Sequence, residues 1–284
     1  MPIDPTTLLG FDIPVVRQRV TPRDAILYAL SIGLGQDPLD EPQLDYVDHH
    51  RTLRAMPSMA VVLGHPGFWL ANSRTGVDAV RLVHGEQWIE WNAALPTDGE
   101  VLGHTRVTGL IDKGAGRGAL LFSEKRLTDA ATGALLAVTG ATTFLRGDGG
   151  FGGAPGPAPA PHPMPASAPD LTIDLSTRPE QALIYRLNGD DNPLHADPAV
   201  AARAGFPRPI LHGLCTLGVV THALLRARGY AASPCRLQLR FSAPVFPGET
   251  VRTEIWGDGS FRARIVGRDV VVIDHGLVAW QEVS

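Results

Sequence analysis

Gly213-Leu-Cys-Thr-Leu-Gly-Val-Val-Thr-His-Ala-Leu-Leu-Arg226 is the stretch that decides the fold. Its apolar residues run nearly the whole way around a helix, the pattern of a helix enclosed by other structure rather than lying on a surface. Gly229 ends it. Beyond that glycine, Arg236–Ser242, Thr250–Trp256, Arg262–Val266 and part of Val270–Trp280 alternate polar with apolar residues, the period of half-buried strands. One enclosed helix followed by antiparallel strands predicts an α+β unit with its sheet wrapped on the helix.

Upstream, the same unit is written a second time. Ala25-Ile-Leu-Tyr-Ala-Leu-Ser31 aligns with Ala182-Leu-Ile-Tyr-Arg-Leu-Asn188, and Gln36-Asp-Pro-Leu-Asp40 with Asp191-Asn-Pro-Leu-His195. Leu95-Pro-Thr-Asp-Gly-Glu100 echoes Phe246-Pro-Gly-Glu249 ahead of a strand-like stretch in each copy. Three correspondences in one order point to duplication. Thr21-Pro22-Arg23-Asp24 reads as a helix start with an N-cap Thr, and Gly33 and Gly35 close that helix. A short helix is expected over Ala182–Leu187, a loop over Asn188–His195 and a small helix over Pro198–Ala204. Thr105–Ile111, Ala119–Arg126 and Leu135–Leu145 supply strands to the first copy. Between the copies, Gly and Pro make up half of Gly147–Asp170, a stretch with no hydrophobic periodicity that favours extended linker conformations. The expected organisation is a first repeat over 1–146, a linker over 147–170 and a second repeat over 171–284.

Composition narrows the function classes. The chain of 284 residues is 44% hydrophobic and 19% charged, with a net charge of −4, as in a folded protein with a sizeable core and no basic excess for nucleic acid. Lys113 and Lys125 are the only lysines. Cys215 and Cys235 are read as reduced thiols. No signal peptide pattern, membrane-spanning apolar run or short address signal is recognised, so a cytoplasmic protein without a membrane partner is expected. His49-His50 notwithstanding, no HExxH or Cys/His spacing suggests a metal, and no Gly-x-Ser-x-Gly elbow suggests a serine nucleophile.

The chemistry concentrates in Asn188-Gly-Asp-Asp-Asn-Pro-Leu-His-Ala-Asp-Pro198. A turn at Asn192-Pro193 brings the carboxylate of Asp190 and the imidazole of His195 within reach of one water, and His transfers protons near neutral pH. His212-Gly213 then opens the enclosed helix, where a backbone N–H is a donor for a developing oxyanion. The same residues are ordinary turn formers, and an Asx-turn with Asp197 capping a helix accounts for much of the stretch. The first copy has Gly35 and Asp40 at the positions of Asp190 and His195, so the pair exists once only.

The string Gly-Asp-x-Asn-Pro-Leu-His, with Ala204-Gly-Phe-Pro-Arg-Pro-Ile-Leu-His-Gly-Leu-Cys215, resembles the motif of MaoC-like (R)-specific enoyl-CoA hydratases, the hydratase 2 family. It is similar to the hydratase-2 part of peroxisomal multifunctional enzymes of type 2, nearly end to end, including His84-Gly-Glu-Gln87, Asp112-Lys-Gly-Ala-Gly116 and Gly149-Gly-Phe-Gly-Gly153. The resemblance implies a double hot dog fold, each repeat wrapping an antiparallel sheet around a long helix. It implies that the second repeat keeps the catalytic motif, and that the first has lost it and accommodates the acyl chain.

By matching positions, Asp190 and His195 activate water, Asn192 orients them, and the Gly213 N–H polarises the thioester. His84, Gly85, Lys113, Asp191, Pro193, Leu194 and Phe241 are expected to meet the substrate. Residue by residue, Lys113 equally fits a solvated turn, His84 a buried core histidine, and Phe241 core packing. Asp191 departs from relatives that carry an aromatic residue there. The expected reaction is reversible hydration of trans-2-enoyl-CoA to (3R)-3-hydroxyacyl-CoA by a stand-alone hydro-lyase, a homodimer that needs no cofactor beyond the CoA of its substrate. The alternatives are dehydration of 3-hydroxyacyl groups on acyl carrier protein, thioester hydrolysis, and acyl-CoA binding without turnover.

Overall fold

Ten strands form one continuous antiparallel sheet in a computed structural model that describes residues 3–152 and 158–281. The strands are β1 (Val16–Val20), β2 (Leu82–Trp91), β3 (Gly99–Asp112), β4 (Ala119–Asp129), β5 (Leu135–Leu145), β6 (Leu171–Ser176), β7 (Pro234–Phe241), β8 (Thr250–Ile255), β9 (Ser260–Ile265) and β10 (Val270–Trp280). The helices are α1 (Pro5–Leu9), α2 (Pro22–Ser31), α3 (Leu44–Val47), α4 (Gln181–Tyr185), α5 (Pro198–Arg203) and α6 (Gly213–Ala227). The sheet order β1-β3-β4-β5-β2-β7-β10-β9-β8-β6 is a mirror image about its centre, with β2 and β7 pairing from Glu86↔Arg240 to Glu90↔Arg236. Two hot dog units thus join edge to edge through equivalent strands, and the join covers an edge that each would otherwise expose.

Residues aligned by the internal repeat touch one another. Tyr28 of α2 and Tyr185 of α4 pack ring to ring at 6.0 Å, and Asn188 Nδ2 donates to Ser31 Oγ at 3.0 Å. Such self-contact is what a twofold relation between copies requires. The helix start at Thr21 is a full capping box: the Thr21 side chain accepts from the Asp24 N–H, and Asp24 accepts from the Thr21 N–H.

Helix α6 is enclosed as its sequence predicts. Every residue from Cys215 to Leu225 is buried. A Cβ at Gly218 would collide with Ile32, so glycine lets α6 cross the end of α2 at close range. The main core cluster draws on both halves, with Tyr28, Ile89 and Val101 from the first and Tyr185, Val220 and Phe261 from the second.

The first half departs from a strict copy. Where the second half has the 15-residue α6 before β7, the first has between α3 and β2 only short 3₁₀ turns, Trp69–Ala71, Ser73–Thr75 and the one that packs on α6, Pro57–Val61. The longer helix α2, of 10 residues, is the equivalent of α4 and not of α6. The turn ends because its carbonyls are taken by a side chain. The buried ammonium of Lys125 donates to Ala60 O, Val61 O and Leu63 O at 3.0, 2.9 and 2.5 Å. Gly64 follows at φ +59° and lies against Gly103, where any side chain would strike backbone.

Parts of the linker are tied down. The Asp112 carboxylate accepts from the N–H groups of Gly114, Gly150 and Gly152, folding Gly149–Gly152 against the turn that carries Lys113. Further on, His162 Nε2 meets Ser260 Oγ at 2.8 Å, and Trp256 Nε1 donates to Ser167 O. Among the described residues, no helix is long and apolar enough to cross a membrane.

Candidate active site

The loop from Asn188 to His195 owes its shape to turn chemistry. Gly189 takes φ +108°, a conformation that L side chains rarely adopt. Asn192 is the N-cap of a 3₁₀ turn, Pro193–His195, and its Oδ1 accepts from the Leu194 N–H at 3.0 Å. The Asn192 N–H in turn donates to Asp190 Oδ1 at 3.3 Å. The turn-forming and functional readings of this stretch are therefore compatible: the Asx-turn is what holds the carboxylate. Asp197 caps α5 through the Ala199 and Val200 N–H groups, as expected.

An Asp190 oxygen and one ring nitrogen each of His195 and His212 lie within 4.8 Å of one another. The His195 Nδ1 is 2.9 Å from Ile210 O. A carbonyl only accepts, so Nδ1 carries the proton and Nε2 presents a lone pair. The His212 ring stacks on His195 at 3.7 Å and 28° between planes, and its Nε2 donates to Asp190 O at 3.2 Å. Burial holds both imidazoles below the usual histidine range. For His195 the Ile210 carbonyl and Asp190 oppose this, and for His212, pushed down to about 3, His195 adds to it. Both rings are neutral at pH 7. With His195 Nδ1 and His212 Nε2 each donating to a backbone carbonyl, one lone pair is left on each ring.

Gly213 is the first residue of α6, where the helix itself supplies no acceptor for its N–H. No side chain caps this end. A Cβ on Gly213 would meet the Phe241 ring at 3.4 Å, and Phe241 meets His84 edge-on at 5.0 Å. His84 reaches this side of the sheet because Gly85 is an extra residue: β2 pairs His84 with Thr143 and Glu86 with Thr142, leaving Gly85 bulged. Such a bulge turns over the side chains on one side of it. Thus Asp190, His195, Gly213, Phe241 and His84 form a connected series, with Asn192, Pro193 and Leu194 as the supporting turn.

Lys113 and Asp191 lie outside that series. Lys113 is exposed on the β3–β4 turn, its ammonium 5.3 Å from the Phe144 ring centroid, and Phe144 pairs with Val83 beside His84. That is a rim position, near the site's edge. The Asp191 side chain is exposed, and its carbonyl accepts from Arg186 at 3.2 Å. The ring of His212 was legible only as a helix-start neighbour of Gly213. Ring stacking between distant residues leaves no period in a sequence.

Comparison with known proteins places the chain in a family. Residues 161–275 match the MaoC like domain model, and residues 19–147 match the MFE-2 hydratase 2 N-terminal domain model. The chain is 41% identical to 3-hydroxyacyl-thioester dehydratase Y of Mycobacterium tuberculosis, over 99% of each chain. It is 37% identical to the peroxisomal enoyl-CoA hydratase 2 of Arabidopsis thaliana, over 89% of this chain and 86% of that one. A crystal structure of a MaoC-like dehydratase from Phytophthora capsici superposes with a TM-score of 0.83 at 31% identity, covering 98% of this chain and 99% of the other. With its double hot dog fold and matching sequence in both halves, the chain belongs to the MaoC-like hydratase 2 family.

Proposed function

We propose that this hydro-lyase of acyl thioesters adds water to trans-2-enoyl-CoA, giving (3R)-3-hydroxyacyl-CoA, and runs the reverse dehydration as concentrations dictate. The observation that carries the reading is the Asp190–His195 pair, with ligand atoms within 4.8 Å and an imidazole whose free Nε2 is fixed by the Ile210 carbonyl. Two hydrogen bonds to one water span such a gap. His195 Nε2 takes a proton from this water as its oxygen attacks C3. A proton returns to the α-carbon from the same side through the pair, so the addition is syn. The Gly213 N–H, aided by the start of α6, stabilises the thioester oxygen as enolate charge builds there. His84 and Phe241 line the approach to the thioester, and Lys113 at the rim suits a CoA phosphate. No cofactor enters this scheme.

The test is the decay of enoyl-thioester absorbance on mixing with enzyme. Asp190→Asn and His195→Gln are each expected to lower kcat by at least about 100-fold, the usual scale of acid/base contributions. Full turnover in both variants would sink the assignment. A second reading, favoured by a relative whose name specifies a 3-hydroxyacyl-thioester dehydratase, makes dehydration of carrier-bound substrates the working direction. Relative kcat/KM on CoA-bound and carrier-bound 3-hydroxyacyl substrates separates the two.

A further inference from the structure

His212 is more completely buried than either member of the pair it touches. It is 1% exposed, and it contacts both members of that pair. Its face lies on His195 at 3.7 Å, and its Nε2–H is given to the backbone carbonyl of Asp190 at 3.2 Å. The Tyr185 ring lies 5.0 Å away, tilted at 47°. With Nε2 donating, Nδ1 is left as a bare lone pair, and it is buried with no partner among the described residues. A buried unpaired acceptor is destabilising, so a phenyl ring would sit here at lower cost. A residue retained against stability at a site of chemistry calls for a role there.

We propose that His212 is a positioning residue for the hydration reaction. Its ring clamps the plane of His195, its N–H fixes the backbone of Asp190, and its peptide bond leads directly into the Gly213 N–H. The acid/base pair and the oxyanion donor are thereby referenced to a single residue at the head of α6. Spacing errors of about 1 Å between such groups are costly in rate, and His212 is what prevents them. The ring also keeps water off one face of His195, which holds that imidazole neutral. The charged or titratable groups facing the two rings are Asp190 on the loop, Arg186 on the preceding turn and Tyr185 on α4, with His65 and His84 of the first half in the field of Asp190.

The inference rests on the hydratase reading, so the experiment separates the two. His212→Phe, His212→Gln and His212→Ala are compared for thermal stability, kcat, KM, the acid limb of the pH profile, and the NMR titration of His195. His212→Phe is expected to be at least as stable as wild type yet to lose about 10-fold in kcat with KM little changed, because the Asp190 carbonyl has lost its donor. His212→Gln keeps a donor and is expected to recover part of that loss. His212→Ala admits water, so the acid limb and the His195 midpoint move up toward the ordinary histidine value. A His212→Phe enzyme with wild-type kcat overturns the proposal, as does a folded His212→Ala protein with an unmoved His195 midpoint. Should His212→Ala not fold, His212→Phe and His212→Gln decide alone. If the wild type does not hydrate enoyl-CoA, the hydratase reading fails, while the His195 titration still tests the clamp.

Discussion

Gln36-Asp-Pro-Leu-Asp40 and Asp191-Asn-Pro-Leu-His195 occupy the same place in two copies of one fold, and their final side chains meet opposite fates. Asp40 is consumed by the structure: its carboxylate accepts from Gln43 Nε2 at 2.6 Å and lies 3.6 Å from the Arg226 guanidinium on α6. His195 spends only Nδ1 on the scaffold and keeps Nε2 free. Helix α6 serves both places, with His212 at its N-cap beside His195 and His222 further along, bonded to Tyr230 at 2.8 Å. The second copy is thus a site because groups there are held yet left with an unused valence. In the first copy the corresponding side chain is closed off, by Gln43 of its own half and by Arg226 of α6.

That contrast is broken most sharply by paired substitutions. Asp190→Ala is expected to cost at least about 100-fold in kcat with little change in stability. Asp40→Ala is expected to leave kcat within about threefold and to lower unfolding free energy by about 1–2 kcal/mol, since it strands Gln43 and Arg226. Denaturant titration and steady-state kinetics on both variants check the pairing. A large activity loss in Asp40→Ala would mean that the first copy takes part in the chemistry.

Acid should expose the two histidines of α6 next. Burial pushes His212 down to about 3 and His222 to about 4. A depressed histidine binds its proton in the unfolded chain before the folded one, so stability is full above about 6.5 and is lost as pH falls toward those values. Between pH 7 and 5 each ring should remove about 2 kcal/mol. His222→Phe should flatten that loss and spare kcat, whereas His212→Phe should flatten it and lower kcat. Urea midpoints at the two pH values, set beside kinetics, give the readout. Equal kinetic effects would erase the distinction between the ends of α6.

The duplication, the enclosed helix and most strands were legible because they rest on local pattern: periodicity, glycine stops and the Thr21–Asp24 cap. Strands β1, β2 and β6 were not, and β2 shows why. The bulge at Gly85 interrupts its alternation, and that interruption is what turns His84 toward the site. The long helix expected in the first half is replaced by a 3₁₀ turn held by Lys125, a contact between residues some sixty positions apart that no spacing rule reports. Within the site, the chain-local pieces around Asp190, Asn192 and His195 were readable from the motif. The His195–His212 stack was not, because it depends on how a loop lands on a helix.

Lys125 offers the next test of the comparison, since it stands in for the helix that only the second half retains. Lys125→Met removes the donor to three buried carbonyls and should cost about 2 kcal/mol in unfolding free energy, with hydrogen exchange quickening first in residues 57–64. Burial lowers the lysine to about 7, so its ammonium is the form present below that pH. An unchanged denaturation midpoint would show that the turn stands without it.

The smallest effect concerns how each copy starts a helix. Helix α2 opens with a reciprocal capping box that satisfies the Thr21 and Asp24 N–H groups, while α6 opens at His212 with no side-chain cap at all. A cap on α6 would compete for the N–H groups beside Gly213 that the thioester oxygen needs, so an uncapped start is the cost of keeping that donor free. In α2 no such demand exists, and the cap contributes only stability. Thr21→Ala should therefore lower unfolding free energy by about 1 kcal/mol and leave kcat and KM untouched. A kinetic change in Thr21→Ala would tie the first half's helix start to the site, and the separation of roles between the two helix beginnings would fail.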